Sequence, residues 1–132
     1  MRIRSLVGAA ILASAALGSA VPSAAAAGGR PAEAEARKVV RQFFQTLNNR
    51  QFAKTCDLMS RRFYRENHVQ SKRRCVLGFA ATFTNTAIVH FRIVSIRRDH
   101  AQVTVRAVAN GAPGSIVLVR EDGRLKILSL QA

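Results

Sequence analysis

The fold is decided by residues 86–132, which read TAIVHFRIVSIRRDHAQVTVRAVANGAPGSIVLVREDGRLKILSLQA. In the middle of this stretch, apolar Val103, Val105, Ala107 and Ala109 alternate with polar Gln102, Thr104 and Arg106. A period of two places one apolar row on one face of a sheet. Turn-forming residues at 99–100, 110–114 and 122–123 separate the apolar runs. The stretch therefore predicts four antiparallel strands joined by short turns.

The first and third of these strands differ from simple alternation. Residues 87–96 and 116–119 carry apolar side chains at both odd and even positions. For the first strand this pattern leaves two alternatives open, a strand covered on both faces or a strand that contains a bulge. The third strand is expected to lie centrally, and residues 125–130 are expected to close the sheet.

Upstream of the sheet, apolar residues recur with helical spacing. We predict helices over residues 31–48, 52–60 and 70–83, and an irregular link over 61–68. The first helix presents a stripe with a period of 3.6, formed by Ala36, Val39, Val40, Phe43, Phe44 and Leu47. Ser71 is a plausible cap for the third helix, but three cations at 72–74 would follow it in the first turn. The helix dipole disfavours them there, so either that helix begins earlier, near Asn67, or the cations have a use.

The first 27 residues are predicted to be a secretory signal peptide. Arg2 and Arg4 precede an apolar run, and Ala-rich sequence around residues 24–27 offers Ala-x-Ala cleavage sites. The alternative is an uncleaved membrane anchor, although the strongly apolar part is shorter than the roughly 18 residues that a spanning helix needs. No cysteine lies near the cleavage site, so a lipoprotein is not expected. Residues 28–132 would then form one domain that is secreted or otherwise extracytoplasmic.

The chain is strongly basic, with 21 Lys and Arg against 7 Asp and Glu, which gives a formal net charge of +14. Removal of Arg2 and Arg4 leaves 14 − 2 = +12. Two explanations stay open: an Arg-rich composition that only aids solubility, or an acidic partner such as nucleic acid, an anionic membrane or a wall polymer.

The two cysteines, Cys56 and Cys75, are expected to form one disulfide, because a single pair in an exported domain is most simply oxidised. A metal site is the alternative. It is poorly supported, since two cysteines with His68 between them match no recognisable ligand spacing.

Three helices followed by an antiparallel meander resemble the nuclear transport factor 2-like superfamily, whose α+β fold is a cone-shaped sheet covered by helices. The resemblance rests on the helix that ends at 47–49, on residues 53–59 and on the closing hairpin at 121–127. The cysteine pair further resembles small secreted bacterial members, in which helices two and three face each other through such a pair. The superfamily includes ketosteroid isomerases and polyketide cyclases, so the resemblance implies a pocket inside the cone, and dimers through the open sheet face are common in it.

In the isomerase branch, a carboxylate base and hydrogen-bond donors line that pocket. Here the candidates are Asp57, His90 and Tyr64, the single tyrosine. Asp57 could equally pair with a nearby arginine, and a lone histidine in a strand is more often a structural or edge residue. No carboxylate pair, nucleophile motif or phosphate loop is present. We therefore expect a non-enzymatic domain without a cofactor or metal, which binds a small apolar ligand or a protein partner. An isomerase-like or cyclase-like enzyme remains an alternative.

A further alternative is a polyanion-binding module. Six cations lie between the cysteines: Arg61, Arg62, Arg65, Lys72, Arg73 and Arg74. With Asp57 and Glu66 the segment carries 6 − 2 = +4. Phosphate contacts by such side chains make affinity fall with salt. Base-stacking aromatics are scarce, so anionic lipid or wall polymer is a better match than a specific nucleic-acid sequence.

Overall fold

The computed structural model describes residues 31–132. The predicted signal peptide therefore lies outside the described residues. Residues Ala34–Ala132 form one compact unit. Helix α1 covers residues 31–48. It is followed by α2 (Phe52–Asp57), α3 (Arg61–Glu66), α4 (Lys72–Phe83) and four strands, β1 (Phe91–Asp99), β2 (Gln102–Ala109), β3 (Ala112–Glu121) and β4 (Arg124–Gln131).

The four strands form one antiparallel sheet in the order β1-β2-β3-β4. The predicted α+β class and the four-stranded antiparallel sheet are both confirmed. The turns after β2 and β3 place Asn110, Gly111, Asp122 and Gly123 at positive φ, between 49° and 81°. Asn-Gly and Asp-Gly are the pairs that two-residue hairpins prefer, because both central residues need φ above zero.

Register shifts interrupt two ladders, at Val94 in β1 and at Leu128 in β4, which lies between the partners of Val117 and Leu118. The shift in β1 corresponds to the bulge that the sequence left open as one of two alternatives. Because a bulge bends a strand and increases its twist, these positions shape the face on which α1 packs.

The core lies between α1 and one face of the sheet. All six residues of the predicted α1 stripe are buried, and they meet the inward rows of the strands, Val103 and Val105 in β2, Ile116 and Leu118 in β3, Leu125 and Ile127 in β4. Glu35 ties α1 to the same strands, since its carboxylate accepts hydrogen bonds from the Arg120 guanidinium (3.1 Å) and from the Leu125 backbone N–H (2.9 Å).

The predicted helix count was wrong, because residues 61–66 form the short helix α3 instead of an irregular link. Ser60 starts this helix, and its hydroxyl accepts a hydrogen bond from the Phe63 backbone N–H. Helix α2 correspondingly ends at Asp57 and not at Ser60. The residues after it leave the helix to pair with β4, where Ile127 N–H donates to Leu58 and Ser60 N–H donates to Ile127.

Three further boundaries differ from the predictions. Helix α4 begins at Lys72, with Ser71 as its cap, so the alternative start near Asn67 is wrong and the three cations do occupy its first turn. Strand β1 begins at Phe91 and not at 87, because side chains hold residues 89 and 90 in place of a strand partner. Strand β3 begins at Ala112 and so includes Pro113, which was expected to lie in the turn. Pairing between β3 and β4 starts only at Ser115, so no hydrogen bond to β4 is lost because Pro113 has no N–H.

Candidate functional site

A pocket of about 460 Å³ opens between the C-terminal half of α1, the segment 83–89 and the ends of β2, β3 and β4. Its lining is formed by Phe43, Phe44, Leu47, Phe83, Thr86, Val89, Ala107, Ala109, Asn110, Ala112, Pro113, Gly114, Ser115, Ile116, Leu130, Gln131 and Ala132. A volume of this size lies within the usual range for small-molecule sites.

Small residues on the strands create this space. Ala107, Ala109 and Gly114 occupy the ends of β2 and β3 opposite α1, where larger side chains would fill the pocket. Glycine is required at 114 because a Cβ there would lie 2.8 Å from the Gln131 backbone oxygen. The close approach of β4 to β3 thus also depends on this position.

The wall formed by residues 84–90 is held by side chains of α1, of the turn that follows α1 and of the β2–β3 turn. Asn48 both donates to the Val89 carbonyl (2.9 Å) and accepts from the Val89 N–H (2.8 Å). The Arg50 guanidinium donates to the Thr86 carbonyl. The Asn110 side chain accepts from the His90 N–H at 2.8 Å. The segment therefore has a defined position although it belongs to no strand.

The chemistry of the lining is apolar. Aromatic rings form its base, where Phe44 stacks on Phe91 with ring centroids 4.4 Å apart and Phe43 contacts Phe79 edge to face at 6.2 Å. Polar side chains come only from Thr86, Asn110, Ser115 and Gln131, and the lining contains no acidic, basic, histidine, cysteine or tyrosine side chain. The pocket can hold an apolar molecule, and none of its described lining side chains is of a type that commonly acts as a general acid or base.

The three candidate catalytic residues lie outside this pocket. Asp57 is exposed at the end of α2, and its carboxylate forms an ion pair with the Lys72 ammonium at 2.6 Å. His90 is exposed, and its backbone N–H and C=O are both bonded to Asn110. Asp57 lines a second, polar pocket of about 450 Å³ together with polar side chains of α1 and α2, whereas His90 lines neither pocket.

Tyr64 is half-buried beneath α2, where its hydroxyl donates to the Cys56 carbonyl at 3.1 Å. Burial raises the pKa of this hydroxyl above its ordinary value, the Asp57 carboxylate raises it further, and Lys72 opposes the rise. The raised pKa keeps the hydroxyl neutral, so that it can donate to this backbone carbonyl.

The disulfide between Cys56 and Cys75 is present, as predicted, and it joins α2 to α4. Both residues are buried in the core. Among residues 31–132, no group of three or more His, Cys, Asp and Glu side chains is arranged to hold a metal ion.

The six cations between the cysteines fall into two groups. Arg61 contacts Asp122 at 2.9 Å, Arg62 contacts Glu66 at 3.1 Å, and Lys72 contacts Asp57. Arg65, Arg73 and Arg74 are exposed, and none of the described carboxylates lies within ion-pair distance of them. Three of the six side chains of the predicted anion site are therefore already paired with carboxylates of the same chain.

Sequence reasoning missed most of the pocket lining. The available signal was the row of small residues on the strand ends, Ala107, Ala109, Ala112 and Gly114, which was interpreted only as strand and turn.

None of the helices in the described part of the chain has the length and apolar character needed to cross a membrane.

No protein-family model and no curated protein matches the sequence. Among solved structures, a designed nuclear transport factor 2-like protein named Rd1NTF2_05, in a version with five substitutions, does match. The two chains are 16% identical, and the match covers 73% of this chain and 94% of the other with a TM-score of 0.51. The likeness shows that this chain has the nuclear transport factor 2-like fold.

Proposed function

We propose that the protein is a non-enzymatic domain that binds a small apolar molecule in the pocket between α1 and the sheet. The observation that carries the proposal is an open space of about 460 Å³ whose lining holds no titratable side chain. Burial of apolar surface is worth about 25 cal/mol per Å², so such a pocket gains affinity without charged contacts.

The chemistry of the candidate residues argues against the isomerase-like or cyclase-like alternative. Such an enzyme needs an acid or base within hydrogen-bond reach of its substrate. Asp57 and His90 are exposed, Tyr64 is committed to the Cys56 carbonyl, and none of the three lines the pocket. A binding role requires none of them.

We also propose that the domain acts outside the cytoplasm. The buried disulfide fits an oxidising compartment, where such bonds persist. The N-terminal sequence that would direct export lies outside the described residues and is the second support for this proposal.

The test is a titration with the neutral, environment-sensitive dye Nile red, which avoids attraction to the basic surface. Ala109→Leu adds three carbons inside the pocket and should weaken dye binding at least about ten-fold, since each excluded CH₂ contact is worth about 0.8 kcal/mol. Ala101→Leu makes the same change on an exposed turn away from the pocket and should leave binding unchanged.

His90→Ala and Tyr64→Phe should likewise bind the dye as the parent protein does. If a folded Ala109→Leu variant, with its unfolding transition intact, bound the dye as tightly as the parent, the pocket would not be the binding site. Ala112→Leu, at the exposed rim of the same pocket, provides a second occluding variant if the first fails to fold.

A further inference from the structure

Three arginines lie together on the face of the sheet that is turned away from α1. Strand pairing sets Arg92 opposite Val108, Ser95 opposite Arg106 and Arg97 opposite Thr104. The odd positions of β2, which include Val103, Val105 and Ala107, point into the core or the pocket. Side chains alternate along a strand, so the even positions of β2 and the residues paired with them point outward. Arg92, Arg97 and Arg106 are thus diagonal neighbours on one outer surface, which we name the arginine stripe.

The arginine stripe has no counter-ion within the described residues. All seven acidic residues of the chain lie between 33 and 122, and the ion pairs that they form within the described residues involve Arg61, Arg62, Lys72 and Arg120. The acidic residue nearest in register is Asp99, at the hairpin end of β1, where it lies 3.5 Å from His100. Adjacent like charges destabilise a sheet, so the charges of the stripe oppose the fold and do not support it.

An exposed aliphatic side chain lies among these cations on the free edge of the sheet. Val94 is 53% exposed at the bulge between Arg92 and Arg97. Strand β1 is the edge strand, and its aromatic residue, Phe91, turns inward to stack on Phe44. Cations around an exposed aliphatic side chain, without an exposed aromatic ring beside them, match the surface of a lipid bilayer better than the stacked bases of a nucleic acid.

We propose that the arginine stripe and the β1 edge dock on the surface of an anionic phospholipid bilayer. The guanidinium groups contact lipid phosphates, and Val94 enters the interfacial region between them. This surface differs from the segment 61–74, in which three of the six cations already contact carboxylates. The proposal is also independent of what the pocket binds.

The experiment measures partitioning of the full chain to vesicles of equimolar phosphatidylcholine and phosphatidylglycerol, relative to vesicles of phosphatidylcholine alone. Apolar parts of the chain outside the sheet would bind both kinds of vesicle, so their contribution cancels in the ratio of the two partition coefficients. The variant Arg92→Gln/Arg97→Gln/Arg106→Gln is compared with Arg65→Gln/Arg73→Gln/Arg74→Gln, which loses the same three charges elsewhere on the surface.

Each arginine near an anionic surface changes the partition coefficient about five-fold, so the sheet variant should lose about a hundred-fold and the α3–α4 variant less than about three-fold. The conservative variant Arg92→Lys/Arg97→Lys/Arg106→Lys should retain binding within about three-fold, because it keeps the charges. Val94→Ser should weaken binding roughly three-fold through its lost apolar contact.

Equal losses in the two Gln variants would overturn the proposal, because binding would then follow net charge alone. A lysine variant as weak as the sheet Gln variant would also overturn it, since the loss would reflect altered packing. If Val94→Ser had no effect and duplex DNA bound more tightly than the vesicles, the partner would be a nucleic acid and the bilayer assignment would be wrong.

Discussion

At the scale of single residues, Asn48 has the most consequential contact near the pocket, because its amide replaces a strand partner for Val89. Asn48→Ala would leave the Val89 N–H and C=O, both partly buried, without these bonds. Unpaired groups of this kind cost about 1–3 kcal/mol, so we expect the free energy of unfolding to fall by about 2 kcal/mol. Urea unfolding followed by circular dichroism measures the difference.

The neighbouring Asn49→Ala is the matched control, since Asn49 is exposed and its side chain has no hydrogen bond within residues 31–132. Its effect should stay below about 0.5 kcal/mol, as is usual for surface substitutions. Equal destabilisation by the two substitutions would mean that the wall at 84–90 does not depend on the Asn48 amide.

At the scale of elements, the disulfide is the strongest link between α2 and α4. It closes a loop with a sequence separation of 19 that includes α3. Restricting the unfolded chain in a loop of this length stabilises the native state by about 3 kcal/mol. Reduction by dithiothreitol should therefore lower the urea midpoint strongly while the helices and sheet still form.

Cys56→Ala/Cys75→Ala is the companion variant, and it should lose slightly more stability than the reduced parent because it also removes buried sulfur. Addition of dithiothreitol to this variant should change nothing. A loss below about 1 kcal/mol on reduction of the parent protein would show that the cross-link adds little to the packing of α2 on α4.

The elements also show how far the sequence predicts the fold. Helix α1 and strand β2 were predicted well because each is long enough to display its period, and every residue of the α1 stripe is buried. Helix α3 was missed because six residues cover less than two turns, and Phe63 and Tyr64 are adjacent instead of three or four apart. Its local signals were the Ser60 cap and the Arg62–Glu66 pair, which has the i, i+4 spacing of a helix.

Tertiary pairing explains the other errors. The end of α2 and the start of β1 are set by bonds to residues far away in the chain, to Ile127 for Ser60 and to Asn48 for Val89. Local pattern contains no information on such partners. For the same reason the pocket was expected only from the resemblance, because its lining joins α1, the 83–89 segment and three strand ends.

At the scale of the whole molecule, 21 basic residues face only 7 acidic ones, so electrostatic repulsion within the protein competes with the attraction in its ion pairs. Within residues 31–132 the ion pairs are mostly exposed, and exposed pairs contribute between zero and 1 kcal/mol. The arginine stripe and the cations at 65, 73 and 74 add repulsion, and none of the described carboxylates lies within ion-pair distance of them. Self-repulsion of this kind opposes the compact state.

We therefore expect stability to rise with salt. Between about 0.01 M and 0.15 M sodium chloride the Debye length falls from about 30 Å to about 8 Å, which screens charges on different elements. An unscreened pair about 10 Å apart repels by about 0.4 kcal/mol in water, so relief of several pairs should raise the free energy of unfolding by on the order of 1 kcal/mol. The measurement is urea unfolding at the two salt concentrations.

The sheet variant Arg92→Gln/Arg97→Gln/Arg106→Gln is again informative here, because it removes a compact group of like charges without touching an ion pair. Its stability should exceed that of the parent at low salt and depend less on salt. A parent protein that instead became less stable as salt was added would show that the surface ion pairs outweigh the repulsion. A sheet variant that was no more stable than the parent at low salt would show that the arginine stripe carries no cost for the fold, and the argument that it is kept for an anionic partner would lose its energetic support.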